Sequence, residues 1–531
     1  MSCAEFEHFT PARRGYRVLS YVPSLSFSLF VSRDVRAENL GSWSENKPFP
    51  LVPTAMAVLP SGKLLAWASG RKYTHSIGQF GLTWSATYDP QTGEISELLV
   101  NNTNHDMFCP GISTGFDGTV VVTGGSTAKR VSMHAEATNG FYAAPEMQIA
   151  RAYQSQVTLT DGRIFTIGGS WSSILIGPGS GEEGNKTGEV FDPATNEWTI
   201  LEGCPADPMQ TADKEGAYRS DNHAWLVSWK DRSVFQAGPS RNMNWYYTSG
   251  KGSHASAGTR DNTDAMCGVF QMFDATTGSI FTAGGAQNYE ESEAIDNAHI
   301  INIDSPIGEA KVRALPGMNR ARVFANAVTM PNGQIMILGG QAYSRPFSDF
   351  RAVTVPELFD PVTEKFTLLP DPGIARGYHS TAALLPDGTI FSGGGGLCSQ
   401  CAEDENHLDF QIYSPPYLFE EDGKTLAARP AITNVHSKTV RVGEEVRFTV
   451  KMPESVEKGE ISVAMLRLGT ATHSVDTDSR RVPLKDHADN EDGSRSYRLP
   501  SNAGVMLPGT YMLFAMVDGV PSRAVMIKVK P

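Results

Sequence analysis

Seven times along the chain a polar turn leads into a short apolar run that closes on glycine. The copies read SGKLLAWASG from Ser61, DGTVVVTGG from Asp117, DGRIFTIGG from Asp161 and DRSVFQAGP from Asp231. They continue as TGSIFTAGG from Thr277, NGQIMILGG from Asn332 and DGTIFSGGGG from Asp387, the Asp231 copy being the weakest. Successive starts lie 56, 44, 70, 46, 55 and 55 residues apart. Each run is too short for a helix and rich in β-branched or aromatic residues, so each reads as a strand leaving a tight turn. The trailing glycines permit close backbone approach or a bulge. Such a chain is constrained to an all-β architecture.

A second element recurs between the copies: YDPQTGEI from Tyr88, FDPATNEW from Phe191, FDATTGSI from Phe273 and FDPVTEKF from Phe359. It reads as strand, turn and next strand. A period near 50 with two hairpins per unit matches a kelch-type blade, and seven units predict a seven-bladed propeller over residues 41–427. A generic β-sandwich is the plainer alternative. From about Arg429 the pattern changes to VRVGEEVRFTV, ISVAMLRLG, GTYMLFAMVDG and RAVMIKV. These strands predict an immunoglobulin-like β-sandwich over residues 428–531.

Composition narrows the partners. Glycine at 51 and proline at 32 of 531 residues suit a turn-rich chain, and 19% charged against 40% apolar residues excludes a disordered one. A net charge of −13 removes any general attraction to nucleic acid or anionic membrane. No run of 18 apolar residues predicts a transmembrane helix. Residues 1–40 are set apart as a leader. Arg13 and Arg14 precede a semi-apolar stretch, Val18 to Val31, in the order of a secretory signal with Ala37 near a cleavage site. The basic part is long and Pro23 interrupts the apolar part, so a disordered leader fits equally well. Secretion is the expectation taken, and the sequons at Asn101 and Asn185 would be used on that route.

Six cysteines are too few for a disulfide scaffold. Cys398 and Cys401 form a CSQC read as a structural disulfide. With His407 nearby, half a zinc site is the alternative. No nucleotide-binding or hydrolase fingerprint occurs. The remaining candidates are polar residues beside glycine turns: Cys109 in FCPG, Tyr153 in RAYQS, Tyr378 and His379 in RGYHS, and His473 in GTATHS. Taken singly, each has a bland reading as a core or surface residue.

Longer strings connect them. HDMFCPGIS from His105, MQIARAYQS from Met147, GRIFTIGGSWS from Gly162 and TADKEGAYRSDNHAWL from Thr211 resemble the galactose oxidase family of copper radical alcohol oxidases. So do MNWYYTSG from Met243, RGYHS from Arg376, GGGGLCSQC from Gly393 and GTATHSVDTDSRR from Gly469. The resemblance covers about nine-tenths of the chain, from Trp43 onward. It implies one copper ion held by Tyr153, Tyr378, His379 and His473, and a Cys109–Tyr153 thioether that carries a radical. It implies that Tyr378 acts as general base, and that Trp171 in GGSWS stacks over the modified tyrosine. Imidazole and phenolate donors suit Cu(II), and the second redox centre on tyrosine makes a flavin or nicotinamide unnecessary.

Arg219 matches the family's sugar-binding arginine and Phe347 an apolar wall residue. Glu290 stands where galactose oxidase has Gln, and His75, aligned from Trp67, where it has Phe. A carboxylate accepts but cannot donate hydrogen bonds, and it can pair with Arg219. The expected function is oxidation of primary alcohols, galactose-type sugars or aryl and alkyl alcohols, to aldehydes with O2 reduced to hydrogen peroxide. A monomer is expected. The alternative is a non-catalytic kelch module that binds carbohydrate or protein.

Overall fold

A computed structural model describes residues 39–74, 81–138, 140–170, 185–397, 405–456 and 459–531. Among these, helices are limited to single 3-10 turns such as Asp207–Met209, and no helix is long and apolar enough to cross a membrane. Seven antiparallel sheets of four or five strands form the propeller. Each blade runs from an inner strand outward. In blade 3 the strands are Ser155–Thr158, Ile164–Ile167, Glu189–Asp192 and Glu197–Ile200. The inner strands of the other blades are Ala55–Val58, Gly111–Thr114, Trp225–Ser228, Val269–Asp274, Val323–Thr329 and Ser380–Leu384.

The glycine-closed repeat supplies the inner hairpin of every blade. In blade 3, Leu159 N donates to Arg163 O at 2.8 Å, and Gly162 sits at φ 89° in the turn, a conformation glycine adopts without strain. The D-P element supplies the outer hairpin in blades 1, 3 and 6. There the carboxylates of Asp89, Asp192 and Asp360 accept the amide two residues on, at 2.8–2.9 Å. FDATTGSI departs from this reading. Its Asp274 caps the same kind of turn, accepting from Thr276 N at 2.9 Å, but between the first and second strands of blade 5. An Asx turn fits any tight hairpin, so the motif does not mark position within a blade.

Two pairings close the ring. Ser42 and Trp43, from the start of the described chain, pair with Ser414 and Tyr413 at the outer edge of blade 7, so N-terminal and C-terminal strands share one sheet. The C-terminal domain packs two sheets face to face. One is built on Glu445–Lys451 and Arg495–Arg498, the other on Ile461–Arg467, Gly509–Val517 and Val525–Lys530. Its core is continuous with the propeller: Leu466, Met512 and Phe514 pack with Met56, Leu384 and Val328 in one cluster.

From this domain a hairpin enters the propeller. Thr470–Thr472 pairs with Ala55–Ala57 and becomes a fifth, innermost strand of blade 1. Buried polar contacts hold the base of the hairpin. Arg467 binds Asp478 and donates to Thr114 O at 2.8 Å, Thr477 donates to Gln156 O at 2.7 Å, and Arg480 donates to Ser228 O at 3.1 Å.

Candidate active site at the propeller axis

Six blades begin in the same unusual conformation. Cys109, Tyr153, His223, Cys267, Phe324 and His379 all have positive φ, between 52° and 68°. In blades 2, 3, 5, 6 and 7 each lies two residues before the one paired opposite the residue that precedes the closing glycine. His223 takes that place in blade 4 across a register shift. Positive φ at a non-glycine residue costs of order 1–3 kcal/mol, and it persists only where the surroundings impose it.

The glycine pair is part of that imposition. A Cβ on Gly169 would lie 2.5 Å from Ala152 O, one on Gly285 2.6 Å from Ala265 O, and one on Gly340 2.6 Å from Val323 O. Three blades add a buried cation. Arg151, Arg322 and Arg376 donate to the carbonyls of Gly168, Gly339 and Gly394 at 3.0, 3.0 and 3.2 Å. Each also pairs with the carboxylate that starts the third strand: Glu189 at 3.0 Å, Glu357 at 2.8 Å and Asp409 at 2.5 Å. The repeat thus forces one side chain per blade toward the axis.

Blade 1 has no such residue, and the inserted hairpin provides one. His473, at φ 50°, caps the Thr470–Thr472 strand. Its Nε2 lies 3.0 Å from His379 Nε2. The neighbours assign both tautomers. His379 Nδ1 lies 2.6 Å from Gly396 O, which only accepts, so Nδ1 carries the proton. Thr472 Oγ1 donates to Thr54 O at 3.2 Å, so it accepts from His473 Nδ1 at 2.7 Å. Two unprotonated ring nitrogens therefore face each other, with the Cys109 thiol 3.9 Å from that of His379, an arrangement that suits a cation.

The phenols stand beside them. The Tyr153 ring centroid is 5.4 Å from that of His473, and the Tyr378 centroid is 4.0 Å from that of His379. The Tyr153 hydroxyl interacts with both the Cys109 thiol and Tyr378. Tyr153 keeps part of its ring exposed, yet its hydroxyl is enclosed. Cys109 Sγ, His379 Nε2 and His473 Nε2 lie within 4.8 Å of one another. Burial pushes the Tyr153, Tyr289 and Tyr378 phenols well above their ordinary pKa, and the Cys109 thiol likewise. Burial pulls His473 well below its usual value and His223 down to about 3, each helped by a neighbouring histidine. The histidines are kept neutral, the state in which they bind metal, while the phenols ionise only beside a cation. Two neutral imidazoles and two phenols make an N,O donor set that suits Cu(II).

Sequence reasoning passed over three neighbours. Tyr289 OH is 2.6 Å from Tyr378 OH, and His223 Nε2 is 3.0 Å from Tyr289 OH. Cys267 packs with Tyr289, Phe324 and Tyr378. Aligning the repeats on their closing glycines marks His223 and Cys267 as equivalents of Tyr153 and His379. Tyr289 has no such signal, because it comes from the loop after the blade 5 glycines.

Phe347 walls the site, with ring centroids 4.9 Å from Tyr378 and 5.2 Å from His379. Arg219 lies over the Tyr289 ring, its guanidinium carbon 5.4 Å from the centroid. Arg219 Nη1 is 3.4 Å from Glu290 Oε2, so the expected ion pair is present. Its strongest partner is one sequence reading missed: buried Asp213, 2.9 Å from Nε. Trp171, His75, Cys398 and Cys401 lie outside the described residues. His407 Nε2 lies 3.0 Å from the Asp349 carboxylate.

The chain is similar to known proteins. A family profile described as the galactose oxidase-like early set domain matches residues 429–529. The glyoxal oxidase N-terminus profile matches 267–417, and a kelch motif matches 151–205. A galactose oxidase from Gibberella zeae is 46% identical over 498 residues, covering 92% of this chain and 71% of that protein. An aldehyde oxidase from Arabidopsis thaliana is 26% identical, covering 82% and 73% respectively. A solved fungal alcohol oxidase of the AA5 family, in complex with copper, superposes with a TM-score of 0.86 at 44% identity. It covers 93% of this chain and all of that one.

Proposed function

This chain belongs to the galactose oxidase family, and from that premise we propose that it is a copper radical oxidase of primary alcohols. The reaction is RCH2OH + O2 → RCHO + H2O2, with R a galactose-type sugar or an aryl or alkyl group. One observation carries the reading. The unprotonated Nε2 atoms of His379 and His473 converge beside two phenols, one of which, Tyr153, touches a cysteine. Residues 41–427 then form the catalytic propeller, and 428–531 form the sandwich that lends it His473. The site is completed within one chain, which supports action as a monomer. The order of residues in the 1–40 leader supports secretion.

Tyr153, Tyr378, His379 and His473 would hold the copper. When bound, copper supplies one of the two electron-accepting centres that a two-electron oxidation needs, and the electrons pass on to O2. Tyr153, joined to Cys109 by a thioether, is the other centre. Joining Sγ to the ring would remove two hydrogens, which O2 takes up as hydrogen peroxide, and the sulfur substituent makes the phenol easier to oxidise. As a phenoxyl, Tyr153 would take a hydrogen atom from the substrate carbon that bears the oxygen.

Tyr378 takes the substrate's hydroxyl proton. Its oxygen is 2.6 Å from Tyr289 OH, so as a phenolate it accepts that hydrogen bond. Once protonated it can donate the same bond, and Tyr289 then donates to His223 Nε2 at 3.0 Å. Tyr289 can thus partner Tyr378 in either protonation state. Phe347 offers an apolar wall, while Arg219 and Glu290 form the polar rim.

Copper-loaded protein should release peroxide when galactose or benzyl alcohol is added, and a Cys109→Ser variant should lose that activity. Peptide mapping should recover Cys109 and Tyr153 as one linked species. Free Cys109 in fully active enzyme rejects the thioether. Absence of peroxide from both alcohols rejects the oxidase reading.

A further inference from the structure

Arg219 is nearly fully committed to carboxylates. Its Nε is 2.9 Å from Asp213 Oδ1, and its Nη1 is 3.4 Å from Glu290 Oε2. Asp213 is itself fixed by amides, accepting from Tyr289 N at 2.6 Å and Glu215 N at 2.9 Å. Glu215 Oε1 stands 3.9 Å from Nη2, too far for a hydrogen bond. The residue is 8% exposed, yet Nη2 has no hydrogen-bond partner. A buried guanidinium nitrogen without an acceptor is costly, and Nη2 is enclosed by protein rather than open to an approaching alcohol.

An arginine with both terminal nitrogens open can grip two oxygens at once. Here Glu290 engages Nη1 and Nη2 is enclosed, so Arg219 offers no such fork. The charge around it has the opposite sign to that of a lone arginine. Asp213, Glu215 and Glu290 are three carboxylates against one guanidinium. Exposed Lys214 beside them leaves the group net negative. Glu291 adds to it, hydrogen-bonded by the Tyr343 hydroxyl rather than by a cation, while Glu293 is paired with Arg351. Glu215 and Glu290 have side chains 37% and 46% exposed, so they face what approaches.

We propose that this rim selects alcohols by charge: primary alcohols with a neutral or cationic far end are favoured, and anionic alcohols are turned away. The proposal rests on the oxidase reading above. Two net charges acting on a third across a partly solvated gap change encounter and binding by on the order of tenfold, and salt screens the effect.

Three alcohols of one shape test it on copper-loaded enzyme at pH 7: benzyl alcohol, 4-(aminomethyl)benzyl alcohol and 4-(hydroxymethyl)benzoate. The quantity read is the ratio of kcat/KM for the cation to that for the anion, by peroxide release at low and at high salt. We expect a ratio of about ten or more, with benzyl alcohol between. High salt should shrink it, and so should Glu290→Gln and Glu215→Gln. Equal kcat/KM for the three alcohols, preference for the benzoate, or a ratio insensitive to both salt and the two variants overturns charge selection while leaving the oxidase reading intact. Silence on all three overturns the oxidase reading and this proposal with it.

Discussion

His223 shows what burial does to a residue at this axis. Its imidazole is enclosed, stacked 4.6 Å from His473 at 13° between ring planes, and held neutral down to a pKa of about 3. The unfolded chain takes up a proton there near 6.5. The folded pKa is the lower one, so this residue's contribution is intact above 6.5 and is lost as pH falls below it. A His223→Gln variant has no such loss. In copper-free protein, the urea stability of wild type relative to His223→Gln should therefore fall from pH 7 to 5, by about 1.4 kcal/mol per pH unit below 6.5. A difference that stays constant would mean that His223 is already charged in the fold. Glu290 gives a second test at this scale. Replacing it by Gln releases Arg219 Nη1 for a sugar hydroxyl and adds an amide donor beside it. We expect kcat/KM for galactose to rise about threefold to thirtyfold, the range for a hydrogen bond to a charged group. Benzyl alcohol, with no diol, should gain less. Weaker galactose turnover would show that the carboxylate itself accepts sugar hydroxyls.

At the scale of the element, the blade is a device for placing one strained residue. Gly340 makes this measurable. Its φ is 92°, and a Cβ there would meet Val323 O at 2.6 Å, the residue just before Phe324. Gly93 also has positive φ, 77°, but nothing within 4 Å of an added Cβ. Gly93→Ala should cost about 1 kcal/mol from backbone strain alone, and Gly340→Ala at least twice that. Thermal unfolding of the two variants compares them, and equal costs would remove the packing role of the glycine pair. The buried Arg322–Glu357 pair should be harder still to disturb. Arg322→Met leaves Glu357 charged and buried, at about 3–5 kcal/mol. Adding Glu357→Leu should recover only part of this, because Glu357 also accepts from Asn319 N and Arg320 N at 2.8 and 2.9 Å. The inner hairpins were legible in the sequence because turn chemistry and β-branched runs are local. Cys109, Tyr153, Tyr378 and His379 were legible only through resemblance, since positive φ at a tyrosine leaves no local mark. Aligning the repeats on the blade's own register would have exposed His223 and Cys267. The Asp213–Arg219 contact and the blade 5 loop bearing Tyr289 depend on tertiary packing and had no sequence signal.

Across the whole molecule, the propeller and the sandwich share one site because a hairpin crosses between them. Blade 1 lacks an axial residue of its own, and Thr470–Thr472 extends its sheet so that His473 fills the gap. Nothing in the spacing of GTATHS foretold that the strand before it would join another domain's sheet. Its partners, Ala55–Ala57, lie more than four hundred residues earlier in the chain. The consequence is thermodynamic. A metal held by His379 from blade 7 and His473 from the sandwich binds only when both domains are folded and docked. Copper should therefore stabilise the docked state, by an amount that grows with the logarithm of its free concentration over Kd. Without copper the domains remain joined by Arg467, Thr477 and Arg480 and by their common core, so the apo protein should stay folded with a lower Tm. In His473→Ala the hairpin strand and those contacts survive, but one of two bare imidazole nitrogens is gone. We expect its apo Tm to stay within a few degrees of wild type, its copper content to fall well below one per chain, and its copper-dependent rise in Tm to vanish. Thermal scans across a copper titration, with metal analysis of the same samples, measure all three. Full copper stoichiometry in His473→Ala would place the metal elsewhere and sever the link between the inserted hairpin and the site.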